Sequence, residues 1–87
     1  MYYQKTEKLL DVIDNEIKKI FFQVFPNLKE LEFDWKKEQK DYEDWDSFSQ
    51  LNIITMLEEI FDITISDDDV ISLQSAEKIR NYVERNK

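Results

Sequence analysis

Ser47 stands in the stretch Asp44-Trp45-Asp46-Ser47-Phe48, where an acidic, aromatic segment passes into apolar residues that repeat at helical spacing. The chemistry open to it is that of an acceptor. The chain contains no histidine and no cysteine, so no imidazole can take the Ser47 proton, and thiolate nucleophiles, disulfides and the usual zinc sites go with them. A serine without a base has to be acted upon by another enzyme. At a helix start the first backbone N–H groups have no partner within the helix and the dipole there favours negative charge. A phosphodiester on Ser47 would therefore be stabilised where it is made. No other grouping offers a stronger chemistry. Asp67-Asp68-Asp69 and Asp41-Tyr42-Glu43-Asp44 suggest calcium, but both lack the turn glycine and the terminal glutamate at the right offset, so no metal site is assigned. Paired carboxylates for acid–base work are easy to nominate in so acidic a chain and carry little weight without a pocket. No catalytic residue is expected.

The elements that must position Ser47 are helices. Eighty-seven residues make one domain (1–87), and zero glycines argue against sheets joined by tight turns, which makes an all-α fold the expectation. Over residues 4–24, Leu9, Ile13, Ile17, Ile20, Phe21 and Val24 recur at spacings of three and four, with Leu10 widening the stripe. Phe25 precedes Pro26 and is pushed out of helical geometry, so this helix ends near Val24. Residues 27–45 show no sustained period. A short helix over 28–33 is one option, and Leu28, Leu31, Phe33, Trp35, Tyr42 and Trp45 are packing anchors rather than a stacking site.

At Asp46 the helical pattern returns, with Asp46 as N-cap and Ser47 as first helical residue. Ile53, Ile54, Met56, Leu57, Ile60 and Phe61 form the core face of this second helix. Ser47, Asn52, Thr55, Glu58 and Glu59 lie opposite, together with Phe48 and Leu51. Those two apolar residues are either a contact patch or covered by the long loop. Ser66 then caps a brief helix through Val70 and Ile71, and Ser75 caps a last one carrying Ala76, Ile79, Tyr82 and Val83. The expected architecture is an irregular antiparallel four-helix bundle with a long loop between helices 1 and 2 and a short helix 3.

From Asp46 through Val83 the chain resembles the acyl carrier protein and peptidyl carrier protein family. Asp46-Ser47-Phe48 stands for its Asp-Ser-Leu motif, followed by Leu51, Leu57-Glu58-Glu59, Phe61-Asp62, Ile65, Asp67 and Tyr82-Val83. The triplet alone is common; joined to Leu-Glu-Glu-x-Phe-Asp at this distance it is more specific. The resemblance implies a carrier, not an enzyme. A separate magnesium-dependent phosphopantetheinyl transferase would place 4′-phosphopantetheine from coenzyme A on Ser47, next to the motif residue Asp46, and the arm would carry an acyl or aminoacyl group as a thioester. It further implies that Phe48, Leu51, Thr55, Glu58 and Glu59 meet the loading and transfer enzymes. Fatty-acid members of the family carry acids where this chain has Ser49, Gln50 and Asn52, a methionine in place of Thr55 and a glycine in place of Trp45. Trp-Asp-Ser is similar instead to discrete carriers of specialised-metabolite or surface-polysaccharide pathways.

Charge agrees with such partners. The net charge is −8, and no lysine or arginine occurs between Lys40 and Lys78. A surface of this kind steers basic proteins towards it and repels nucleic acid. No apolar run reaches the length of a membrane span and Met1-Tyr2-Tyr3-Gln4-Lys5 does not read as a signal peptide, so a cytoplasmic monomer away from membranes is expected. The rival reading keeps the helices and the acidic surface as an interaction module without a prosthetic group, with Ser47 no more than a helix-start residue.

Overall fold

The computed structural model describes residues 5–86, with side chains from residue 11 to residue 86. The expected helix start at Gln4, and the Leu9 and Leu10 side chains, lie outside the described residues. The chain is all-helical: α1 is Lys5–Val24, α2 Ser47–Phe61, α3 Asp67–Ser72 and α4 Ala76–Asn86. Among the described residues there is no strand, only an isolated antiparallel bridge between Glu38 and Ser75. α1 packs on both α2 and α4. Its stripe Ile13, Ile17, Ile20 and Phe21 is buried against Ile53 and Leu57 of α2 and Ile79 and Val83 of α4, in one core cluster.

The helix ends follow from side chains. Ser66 caps α3 by accepting the Asp69 N–H at 3.3 Å, and Ser75 caps α4 by accepting the Lys78 N–H at 3.1 Å. α2 ends without a glycine. Asp62 takes φ +54° and ψ +50°, and its N–H returns to the Glu58 carbonyl. A Cβ in this left-handed geometry costs about 1–2 kcal/mol, partly offset by the entropy glycine would lose on folding. Asp62→Gly is therefore expected to stabilise the chain by about 0.5–1 kcal/mol in urea denaturation. A neutral or destabilising result would mean that the aspartate side chain contributes a contact larger than the strain.

The connection between α1 and α2 packs on the core. It contains 3-10 turns at Glu30–Glu32 and Gln39–Asp41, so the short helix considered over 28–33 is a single tight turn. Phe25 stacks on Tyr42 at 5.1 Å between ring centroids, Tyr42 meets Trp45 edge-on at 5.1 Å, and Trp45 meets Phe21 edge-on at 5.4 Å. Further along the loop, Phe33 and Trp35 form another edge-on pair at 5.0 Å. Leu31 is the exception among the expected anchors, being fully exposed. Backbone bonds tie the loop to α4 and its approach: Glu77 N–H donates to the Trp35 carbonyl at 2.9 Å and Gln39 N–H to the Gln74 carbonyl at 2.7 Å. Arg80 of α4 pairs with Asp14 of α1 at 3.5 Å and lies 4.6 Å from the Trp35 ring centroid. One guanidinium thus joins α1, α4 and the loop.

Tyr42 carries a cost within this cluster. Its hydroxyl is buried with no hydrogen-bond partner among the described residues. Burial first, then the carboxylates of Asp34 and Asp44, push its pKa up to about 12. The neutral phenol is thus the folded form, so its share of stability is intact below pH 10 and is lost as pH rises towards 12. Tyr42→Phe is expected to be neutral or up to about 1 kcal/mol stabilising at pH 7. It should also flatten the loss of stability expected of the parent between pH 10 and 12. Parallel alkaline unfolding curves for the two proteins would refute this.

Candidate functional site

α2 begins at Ser47 because Asp46 holds extended backbone geometry and its carboxylate accepts the Ser49 N–H at 2.9 Å. The Asp46 carbonyl takes the Gln50 N–H at 2.9 Å. The Ser49 backbone bond, the largest influence, holds the Asp46 carboxyl below its usual range. The cap is therefore complete at neutral pH and is lost only as pH falls through that depressed value. Ser49 is also engaged through its side chain, its hydroxyl donating to the Asp44 carbonyl at 2.9 Å. Ser47 is exposed, and its hydroxyl makes no hydrogen bond among the described residues. Of the two serines in the first turn, one is occupied and the other is free.

The surroundings of Ser47 are apolar on one side and acidic on the other. Phe48 and Leu51 are 71% and 61% exposed, so the loop does not fold over them. Thr55 is exposed too, and its hydroxyl donates back to the Leu51 carbonyl at 2.9 Å. Glu59 is free on the same face. Glu58 differs, because it is half-buried and its carboxylate accepts the Ile65 N–H at 2.9 Å, pinning the α2–α3 connector. A groove of about 340 Å³ runs from Ser47 along Leu51 to Val70, Ile71 and Gln74. Ile71, 69% exposed on α3, extends the apolar surface across this groove.

Within α2 one assignment changes and one buried residue is added. Ile60, placed on the core face, is 44% exposed. The buried line runs through Gln50, Ile53, Ile54, Leu57 and Phe61, and Ile60 lies at its margin with Met56. Gln50, named above only as a position where fatty-acid members of the family carry an acid, is buried at 9% exposure. Its Oε1 accepts the Trp45 indole N–H at 2.7 Å, and its Nε2 donates to the carbonyls of Val70 at 3.0 Å and Leu73 at 3.1 Å. The amide's acceptor and both donors are satisfied, as burial requires. Spacing could have revealed this. Position 50 continues the 53, 54, 57, 61 stripe one turn back, so a glutamine there has to find partners inside.

Among the described residues no three or more carboxylates gather in a way that could hold a metal ion, and no helix is long and apolar enough to cross a membrane. The site offers an acceptor hydroxyl at a helix start, an ionised neighbour, and an apolar groove open to a partner. Compared with known proteins, the chain matches no family model, no curated protein and no solved structure.

Proposed function

We propose that the chain is an acyl or aminoacyl carrier whose attachment point is Ser47. The observation that carries the reading is the state of that serine: exposed, unbonded, and first in α2, while Ser49 one half-turn on is committed to Asp44. A phosphodiester suits this position, because Asp46 already fixes the helix start through Ser49 and leaves the Ser47 hydroxyl outside the cap. When attached, 4′-phosphopantetheine supplies the thiol on which cargo rides as a thioester, the reactive group that a chain without cysteine lacks. The groove beside Ser47, walled by Leu51, Val70 and Ile71, supports the reading as an apolar surface against which an attached arm would lie.

In this reading the four helices form an irregular antiparallel carrier-type bundle in the cytoplasm. The Phe48 and Leu51 patch with Thr55, Glu58 and Glu59 receives a phosphopantetheinyl transferase and the enzymes that load and unload the carrier, by a small, electrostatically steered contact. Of the two glutamates, Glu59 is the freer to meet a basic partner. Trp45 before Asp46-Ser47 favours a specialised-metabolite or polysaccharide pathway over housekeeping fatty acid synthesis. The test is direct. Incubation with coenzyme A, magnesium and a broad-specificity phosphopantetheinyl transferase should add the mass of one phosphopantetheinyl group. An unchanged mass would leave an acidic interaction module without a prosthetic group.

A further inference from the structure

Gln50 couples the attachment helix to the element facing it. α3 has six residues, fewer than the roughly 12–15 an isolated helix needs to be even marginally stable in water. Other elements must hold it at both ends. At the N-terminal end the Tyr82 hydroxyl donates to Asp69 at 2.9 Å, anchoring α3 to α4. At the C-terminal end the Gln50 carboxamide donates to the Leu73 carbonyl and to the Val70 carbonyl, which also accepts the Leu73 N–H at 3.2 Å, while it accepts from the Trp45 indole. The residues so held carry the far wall of the groove, Val70 and Ile71, opposite Ser47 and Leu51.

We propose that Gln50 is a positioning residue for the Ser47 site. Its buried amide fixes the last turn of α3 against the first turn of α2, so that Ile71 and Leu51 present one apolar surface beside the attachment serine to the modifying enzyme. Gln50 does not touch the transferred group; it acts through α3. The proposal rests on Ser47 as the attachment point, and the two fail differently.

The test uses the full chain. Gln50→Met keeps length and volume but removes all three hydrogen bonds, and amide hydrogen exchange reads each helix separately. Exchange at the α3 amides should rise about tenfold or more while α1 and α4 change little, and the Trp45 emission should shift as its N–H loses its acceptor. With the phosphopantetheinyl transferase, KM for the variant should rise about tenfold with kcat nearly unchanged, the pattern of lost binding rather than lost chemistry. Gln50→Glu supplies a conservative rescue. Ionised, it opposes two carbonyls; protonated on acidification, it regains one donor, so α3 protection should return as pH falls. In the wild type, the Gln50 side-chain N–H protons should exchange as slowly as the α3 backbone, a measurement that needs no variant to fold. Free exchange of those protons, uniform loosening of all helices in Gln50→Met, or an unchanged KM would each overturn the role of Gln50 while Ser47 remained the site. No added mass on wild type would overturn both.

Discussion

Trp45→Ala is expected to lower the free energy of unfolding by about 3–5 kcal/mol, a large part of the roughly 5–15 kcal/mol that holds a domain together. The reason is the number of elements that meet on one side chain. Trp45 is 4% exposed, its ring contacts Phe21 and Phe25 at 5.4 and 5.8 Å and Tyr42 at 5.1 Å, and its N–H bonds Gln50. Alanine would open a cavity at the junction of α1, the loop and α2. It would also leave the Gln50 carbonyl oxygen buried without its donor, a further loss included in the upper part of that range. Trp45→Phe separates the two effects, since it keeps an aromatic ring in the cluster and removes only the donor and part of the volume; about 1–3 kcal/mol is expected. Urea denaturation followed by circular dichroism measures both. A loss under about 1 kcal/mol for Trp45→Ala would show that the aromatic cluster is peripheral to stability.

The same residues show what a sequence discloses and what it withholds. α2 was legible at both ends, because an aspartate cap followed by apolar residues at helical spacing is a local pattern with a local cause. The Ser66 and Ser75 caps were legible for the same reason. The placement of Phe48 and Leu51 outside the apolar arc was legible too, but spacing left open whether the loop covers them, and only the fold shows them exposed. The arrangement of the loop was not legible. Its contacts join residues far apart in the chain, Trp35 with Arg80 and Gln39 with Gln74, and no period announces such pairings. Gln50 was left off both faces, since glutamine is usually exposed, although its position on the helix points inward. Glu58 shows a related effect: its place on the polar face was read, while its bond to Ile65 depends on where the connector returns.

That distinction bears on the acidic surface. Charge density along the chain was visible from the gap between Lys40 and Lys78, but the work of individual carboxylates was not. Asp46 holds a helix start, Asp69 accepts from Tyr82 and Glu58 holds a connector, so each is engaged within the fold. Glu59 has no such bond among the described residues. Long-range steering still counts all of them, because field strength at a distance depends on charge and not on whether a carboxylate also bonds a backbone amide.

Ser47→Ala should abolish the addition of phosphopantetheine altogether, while Ser49→Ala should leave it in place. The two serines lie in the same helical turn, so the pair tests whether a free hydroxyl, and not merely a nearby one, is what the modifying enzyme uses. Ser47 makes no side-chain bond among the described residues, and alanine is the most favourable helix former. The Asp46 cap acts through Ser49 and survives the change. Stability of Ser47→Ala should therefore stay within about 0.5 kcal/mol of the parent, and lost modification could not be attributed to unfolding. Ser49→Ala loses the bond to Asp44 at a cost of about 0.5–1.5 kcal/mol, yet keeps the acceptor. Mass spectrometry after incubation with coenzyme A and the transferase, with denaturation curves on both variants, gives the comparison. Persistent modification in Ser47→Ala would move the attachment elsewhere, and loss in Ser49→Ala at unchanged stability would mean that the first-turn bond to Asp44 shapes what the enzyme recognises.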